Sequence, residues 1–343
     1  MKTGEFDLIG RISAQVRSNV PDGVIGIGDD CAVIPQKEGL DTLVTTDLLV
    51  EDRHFLLDDI GPFDLGWKSA AVNISDIAAM GGRPESAFLS IALPGCIGSE
   101  WVERFIAGFM ELADRYGVAL LGGDTSASPD KLFINITLLG SCRHGAALTR
   151  SGARPGDLVC VTGTLGDSAA GLKLILKRSS AVILRESKNL DPSSLTLLRM
   201  TEGEMAELIR HHYHPEPRVR EGIALAATAG VHSMMDISDG IASDLPHILE
   251  ASGVGAEIDL RRLPLSQELM DICAVHGWDA AELAVGGGED YELLLTVAPE
   301  AFEAASAAVD GSLTAIGRIV ESGEPAIRWT GGKRNDYKGF THF

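Results

Sequence analysis

The chain has 343 residues, 45% of them hydrophobic and 23% charged, enough for two domains of ordinary size with a sizeable core in each. Lys plus Arg number 29 against 49 Asp plus Glu, a net charge of −20, which argues against a broad phosphate-backbone interface for nucleic acid. A phosphate compound would have to meet these acids through divalent metals, although most of the acids simply keep a protein soluble.

No apolar run approaches the ~18 residues of a membrane span, and no basic patch precedes an apolar leader. The expectation is a cytoplasmic protein without membrane or nucleic-acid partners. Cys31, Cys96, Cys142, Cys160 and Cys273 are widely spaced and contain no C-x-x-C pair, as small core residues in a reducing compartment would be. The 39 glycines show no collagen period and are assigned to turns and close approaches.

In chain order, Phe6, Ile9, Ile12 and Val16 predict a short amphipathic helix stopped by Pro21. Gly26 to Asp30 reads as a glycine-rich turn, Cys31 to Ile34 as an apolar run, and Thr42 to Thr46 as a strand ending at Asp47. Asp64 is placed as the cap of a helix running to about Met80, with Asn73 and Asp76 on one face. Ala87–Leu93 is a strand, and Ser99 caps a helix ending near Tyr116. Val118–Leu121 and Leu132–Leu139 are strands, the first breaking into the turn Gly122-Gly123-Asp124.

Ser-Gly-Ala-Arg-Pro-Gly, residues 151–156, marks a boundary between domains 1–150 and 151–343. Beyond it come a strand over 157–161, a helix over 169–176 and a polar connection or helix extension over 177–195. Helices over about 195–211 and 218–229 bracket His211, His212 and His214. Strands over 233–237, 257–260, 291–297 and 313–319 alternate with helices over 239–251, 266–276 and 299–309. The alternation predicts two layered α/β (α+β) domains.

Asp30, Asp47, Asp76, Asp124, Asp236 and Asp239 each stand where an apolar segment begins or ends, beside Gly, Ser or Thr, and Thr45 and Thr46 add further oxygens. Oxygen-rich sites of this kind suit magnesium and phosphate. Singly, an Asp near Gly is more often a turn residue or helix cap, so the metal reading rests on their number. No G-x-x-x-x-G-K-[ST] and no kinase-type loop occur. Lys68 and Arg150 are the candidate cations near the motifs. The histidine tract lacks partner cysteines and reads as structural, and His54 alone reads as a loop or core residue.

Seven blocks in order resemble the thiamine-monophosphate kinase family of the aminoimidazole-ribonucleotide-synthetase-like ATP-binding superfamily. They are the segments around Gly26–Ala32, Thr45–Phe55, Lys68–Gly81, Gly122–Thr125, Arg150–Asp157, Asp236–Gly240 and Gly287–Leu293. The resemblance implies an N-terminal ATP- and metal-binding dimerisation domain, a C-terminal α/β domain and a homodimer through the N-terminal halves. It implies direct transfer of the ATP γ-phosphoryl to thiamine monophosphate, aided by several Mg2+ ions.

By the same resemblance Asp30, Thr45, Thr46, Asp47, Asp76, Asp124 and Asp236 bind magnesium, and Asp239 a further ion. Tyr116, Gly123, Asp124, Arg150 and Ser238 contact ATP; His54, Glu289 and Phe340 contact thiamine monophosphate. At Phe340 the family often has Trp or Tyr, so a ring could stack there without a hydrogen bond. The competing readings are a selenide dikinase, an aminoimidazole ribonucleotide synthetase, a hydrogenase-maturation enzyme, or a non-catalytic acidic calcium- or nucleotide-binding protein. No Cys precedes Cys31, against the first, and no EF-hand spacing occurs, against the last.

Overall fold

Ile134, Ile136 and Leu138 alternate with Asn135 and Thr137, so a strand there turns an apolar edge inward and a polar edge outward. The computed structural model describes residues 23, 25, 29–36, 39–186, 202–332, 337 and 339, and in it this segment is β5 (Phe133–Arg143). With β1 (Ala32–Pro35), β2 (Leu40–Val50), β3 (Arg83–Pro94) and β4 (Ala119–Ser128) it forms a sheet of order β1-β2-β5-β3-β4. β3 and β4 run parallel and the other pairs antiparallel. The N-terminal helix through Phe6, the Gly26–Gly28 turn, the connection beyond Glu186 and Phe340 lie outside the described residues.

The inner face of this sheet packs on α1 (Pro62–Ala79) and α2 (Ser99–Tyr116), with Leu43, Ile74, Phe105, Ile134 and Ile136 in one core. α1 is buried without a break from Leu65 to Ser75, over all of its faces, as expected of an interior helix. Gly66 and Gly108 let α1 and α2 touch backbone to backbone: a Cβ on either would fall about 2 Å from a carbonyl of the other helix. The outer face of the sheet is open and exposes Leu48 and Phe88, with Leu121 at a bulge beside them.

The second sheet contains β6 (Leu158–Thr162), β7 (Val231–Asp236), β8 (Gly255–Asp259), β9 (Leu293–Val297), β10 (Leu313–Val320) and β11 (Ile327–Thr330), in the order β11-β8-β10-β6-β9-β7. β11 and β8 pair parallel and the rest antiparallel. Around it lie α3 (Asp167–Glu186), α4 (Glu202–Tyr213), α5 (Val219–Ala226), α6 (Ile241–Ser252), α7 (Gln267–His276), α8 (Ala280–Gly286) and α9 (Phe302–Ala308). Two layered α/β halves are therefore present, with largely antiparallel pairing.

Several local expectations are corrected. Gly61, not Asp64, is the N-cap of α1; Asp64 sits in the first turn and pairs with His214 at 2.6 Å. Gly98 caps α2, and Ser99 is its first helical residue. α6 starts at Ile241, after Gly240. β4 does not stop at Leu121 but continues through Gly122-Gly123-Asp124 to Ser128. α8 and β11 were not expected; each is short, although Asp279 accepts from the N–H groups of Ala281 and Glu282, an ordinary helix-start signal.

Residues 212–217 join the halves. The Tyr213 hydroxyl donates to the Asp59 carbonyl, Trp67 Nε1 donates to the Pro215 carbonyl, and His214 stacks on Trp67 with ring centres 4.9 Å apart. His214 of the histidine tract is thus structural here.

Candidate active site

β2 carries Thr45 and Asp47 on its inner face, and Asp76 lies in the last turns of α1. The Thr45 hydroxyl donates to Asp76 Oδ2. From the other half, the end of β7 brings Asp236, which accepts from Ser75 Oγ at 2.6 Å. Oxygens of Asp30, Asp76 and Asp236 lie within 4.8 Å of one another. Arg150 faces this group: its guanidinium donates to Asp30 Oδ1 at 2.5 Å and its main-chain N–H to Asp29 Oδ1 at 2.7 Å.

So much negative charge in one buried place is unfavourable. Burial first, then repulsion from neighbouring carboxylates, pushes Asp47, Asp76 and Asp236 above the ordinary carboxylate range. Asp29 rises to about 6, again mainly through burial. Among the described residues, Asp30 Oδ2 and Arg150 Nε are buried without a hydrogen-bond partner. An acceptor and a donor left unpaired side by side each carry a cost that a ligand can remove. Clustered carboxylates and a threonine hydroxyl fit a hard divalent cation, and the guanidinium nitrogen fits a phosphate oxygen.

A cleft of roughly 680 Å³ opens from Asp47, Asp76 and Asp236 toward His54 and Glu289, with Ser238 and Asp239 on its wall. His54 Nδ1 accepts from the Val50 N–H at 2.9 Å, so the neutral ring carries its proton on Nε2. The Ser238 carbonyl accepts from the Glu289 N–H at 2.7 Å, and the Asp239 N–H donates to Asp244 Oδ2 at 3.1 Å.

The other expected residues stand apart. Thr46 points to the open face of the sheet, where Oγ1 accepts from Asn135 Nδ2 and pairs with the Thr137 hydroxyl. Register carries Asp124 to the same face: it pairs with Ser90, and Ser90 with Asn135. Gly123 sits in the strand at φ 149°, and a Cβ there would fall 1.7 Å from the Leu89 carbonyl; this glycine is needed for close strand contact. Tyr116 shares its hydroxyl proton between Glu216 and the Pro217 carbonyl, both at 2.8 Å.

Three cleft residues were missed in these roles: Lys68, Ser168 and His212. Lys68 Nζ lies 2.7 Å from Glu289 Oε1, and Arg150 is engaged by Asp30, so neither expected cation is a loose phosphate binder. A lysine inside the apolar run of α1 was the available signal, since a buried lysine requires a partner.

The family model for AIR synthase related protein, N-terminal domain, matches residues 28–142, and that for the C-terminal domain matches residues 154–330. The paired sheets and the acidic cluster between them thus define an AIR synthase related protein. Over 359 aligned residues the chain is 40% identical to the thiamine-monophosphate kinase of Escherichia coli K12, covering 100% of this chain and 99% of that one. It is 39% identical to the Bacillus subtilis enzyme, covering 99% of each. The structure of AaThiL complexed with AMPPCP and TMP superposes with a TM-score of 0.82 at 35% identity, over 100% of this chain and 99% of that chain. The chain belongs to the thiamine-monophosphate kinase family.

Proposed function

We propose that this chain transfers the γ-phosphoryl group of ATP to thiamine monophosphate, giving thiamine diphosphate and ADP, with magnesium ions held by its acidic cluster. The carrying observation is the convergence of Asp30, Asp76 and Asp236 beside an unpartnered Arg150 Nε. Relatives of matching length bear the name of this activity, and the AMPPCP in the related structure is an ATP analogue.

A phosphate monoester has a second pKa of about 6, so near neutral pH the acceptor oxygen is already ionised and a strong general base is unnecessary. The difficulty is bringing two anions together. Asp30, Asp76 and Asp236 would hold a divalent cation, with Asp47 and Thr45 alongside, and Asp239 on the cleft wall would serve a further one. Bound cations would screen the phosphates and stabilise the charge of an in-line transfer.

Arg150 Nε would meet a phosphate oxygen of ATP, near Ser238. His54 Nε2 and Glu289 would contact thiamine monophosphate. The acceptor oxygen forms its bond to the γ-phosphorus as the bond to the bridging oxygen breaks, without a phosphoenzyme. Thr46 on β2 and Asp124 on β4 would serve metal, and Asp124 also ATP, from the open face of the sheet; Gly123 on β4, Tyr116 and Phe340 complete the proposed contacts.

Residues 1–150 would form the metal-binding and dimerisation domain and 151–343 the second domain of a cytoplasmic enzyme. The open sheet face with exposed Leu48, Phe88 and Leu121 supports a homodimer through the N-terminal halves; a stable monomer by light scattering would count against it. The deciding assay is incubation with ATP, magnesium and thiamine monophosphate. Thiamine diphosphate is expected; its absence while another acceptor is phosphorylated overturns the assignment.

A further inference from the structure

Lys68 and Glu289 come from different halves of the chain. Lys68 is 1% exposed on α1, whereas the Glu289 side chain is 25% exposed toward the cleft. Such a pair presents its negative end to whatever enters. A buried ammonium beside a carboxylate is costly to assemble, and removing one partner strands the other.

His212, on α4, completes the arrangement. Its Nε2 lies 3.4 Å from Lys68 Nζ, and its Nδ1 lies 3.0 Å from Ser168 Oγ and 3.3 Å from Glu289 Oε2. An ammonium has only protons to offer, so Nε2 must accept and Nδ1 must carry the hydrogen. Glu289 Oε1 is therefore held by Lys68, which the imidazole steadies through Nε2, while the ring, its Nδ1–H given to Ser168 Oγ, stands 3.3 Å from Oε2. Burial, then the charge of Lys68, lowers the His212 pKa to about 3, which keeps the ring neutral and preserves this pattern.

The backbone under Glu289 needs such support. Glu289 and Tyr291 both adopt positive φ, 64° and 51°, a conformation unfavourable for a non-glycine residue that recurs at ligand-holding loops. Asp290 accepts from the main-chain N–H groups of Gly166 and Ser168 at the start of α3. Glu292 accepts from Arg218 Nε at 2.7 Å and from the Thr162 hydroxyl at 2.6 Å. Each acid of Gly-Glu-Asp-Tyr-Glu is thus tied to a different element, and Glu289 alone of the three faces the cleft.

We propose that Lys68 and His212 are positioning residues that fix the Glu289 carboxylate as a preset anion for the cationic body of thiamine monophosphate. This rests on the assignment of the cleft to that substrate. The couple reaches across the two halves, so the anion is placed correctly when α1, α3, α4 and the Gly287–Glu289 loop are all in register.

The test is steady-state kinetics of the full-length enzyme with each substrate varied in turn. Lys68→Met and His212→Leu are each expected to raise the KM for thiamine monophosphate about tenfold or more, with the KM for ATP and kcat within about threefold. His212→Asn, which keeps a polar N–H in place of the Nδ1–H, is expected to restore most of the loss. Glu289→Gln should match Lys68→Met, and the double variant should be no worse than either alone, because the two act through one group.

If Glu289→Gln leaves the KM for thiamine monophosphate unchanged, the substrate assignment of this wall of the cleft fails. If Glu289→Gln raises it while His212→Leu and Lys68→Met do not, or if the double variant shows additive losses, the positioning proposal is overturned. Should Lys68→Met fail to fold, the pair His212→Leu and His212→Asn decides by the same readout.

Discussion

α1 carries two buried charged regions, and they are built on opposite principles. At its C-terminal end Asp76 joins Asp30, Asp47 and Asp236, with Arg150 as the counter-charge bound to the group. Two turns earlier Lys68 closes a neutral set with Glu289 and His212. The first region leaves Asp30 Oδ2 and Arg150 Nε unpaired, so its missing partners must come from outside the chain. The second is satisfied internally. Uncompensated buried charge marks where ligands are held, whereas compensated buried charge holds the protein in shape around them.

The contrast is broken most severely at the acidic end. Asp47→Ala and Asp236→Asn are expected to lower turnover by about a thousandfold or more, the scale of losing a charge-stabilising group. Thermal stability in EDTA should stay level or rise, because a repelling carboxylate has gone. A fall in EDTA-state stability equal to that of an ordinary core lesion would mean that the cluster holds the fold. Asp124→Ala is expected to abolish turnover too, although Asp124 lies on the open face; wild-type activity at ordinary magnesium would remove it from the metal set.

At the neutral end the main effect is on stability. Lys68→Met is expected to cost about 2–3 kcal/mol in denaturant unfolding, less than a fully buried broken pair because Glu289 keeps some water.

His212 supplies a pH test of the same region. Its folded pKa of about 3 lies below the ordinary value near 6.5, so between those values the unfolded chain binds the extra proton. Its contribution is complete above about pH 6.5 and falls as pH drops toward 3. From pH 6.5 to 5 this amounts to about 2 kcal/mol. The groups facing the ring are Lys68, Glu289 and Ser168. Comparing His212→Asn with the parent protein should show a shallower acid slope; parallel slopes would place the ring in a protonated state.

The smallest expected effect concerns Tyr116. Its hydroxyl bonds to Glu216 and Pro217, so Tyr116→Phe should cost about 1 kcal/mol of stability. A rise in the KM for ATP without loss of stability would instead favour the nucleotide contact implied by the family resemblance.

Much of this was legible in the linear chain because its signals are local. Alternation at Ile134, Ile136 and Leu138 marked β5, and Asp30, Asp47, Asp76 and Asp236 stood out beside small polar residues. Short elements escaped: α8 spans Ala280–Gly286 and β11 Ile327–Thr330, too few residues for a period to repeat. Gly122-Gly123-Asp124 resembled a turn because two glycines usually mark one. In the fold Gly123 is spent on close approach to Leu89 within a continuous strand.

The sequence by itself determined the fold class and the family, since the alternation of elements and the order of the motifs are written along the chain. Tertiary structure decided which acids meet. A strand sends neighbouring side chains to opposite faces, so Thr45 reaches Asp76 while Thr46, one residue on, turns to Asn135. It also decided that Lys68, read in the chain as a possible phosphate ligand, is sequestered with Glu289 and His212. Such pairing depends on contacts between elements far apart in the chain, and no local pattern encodes it.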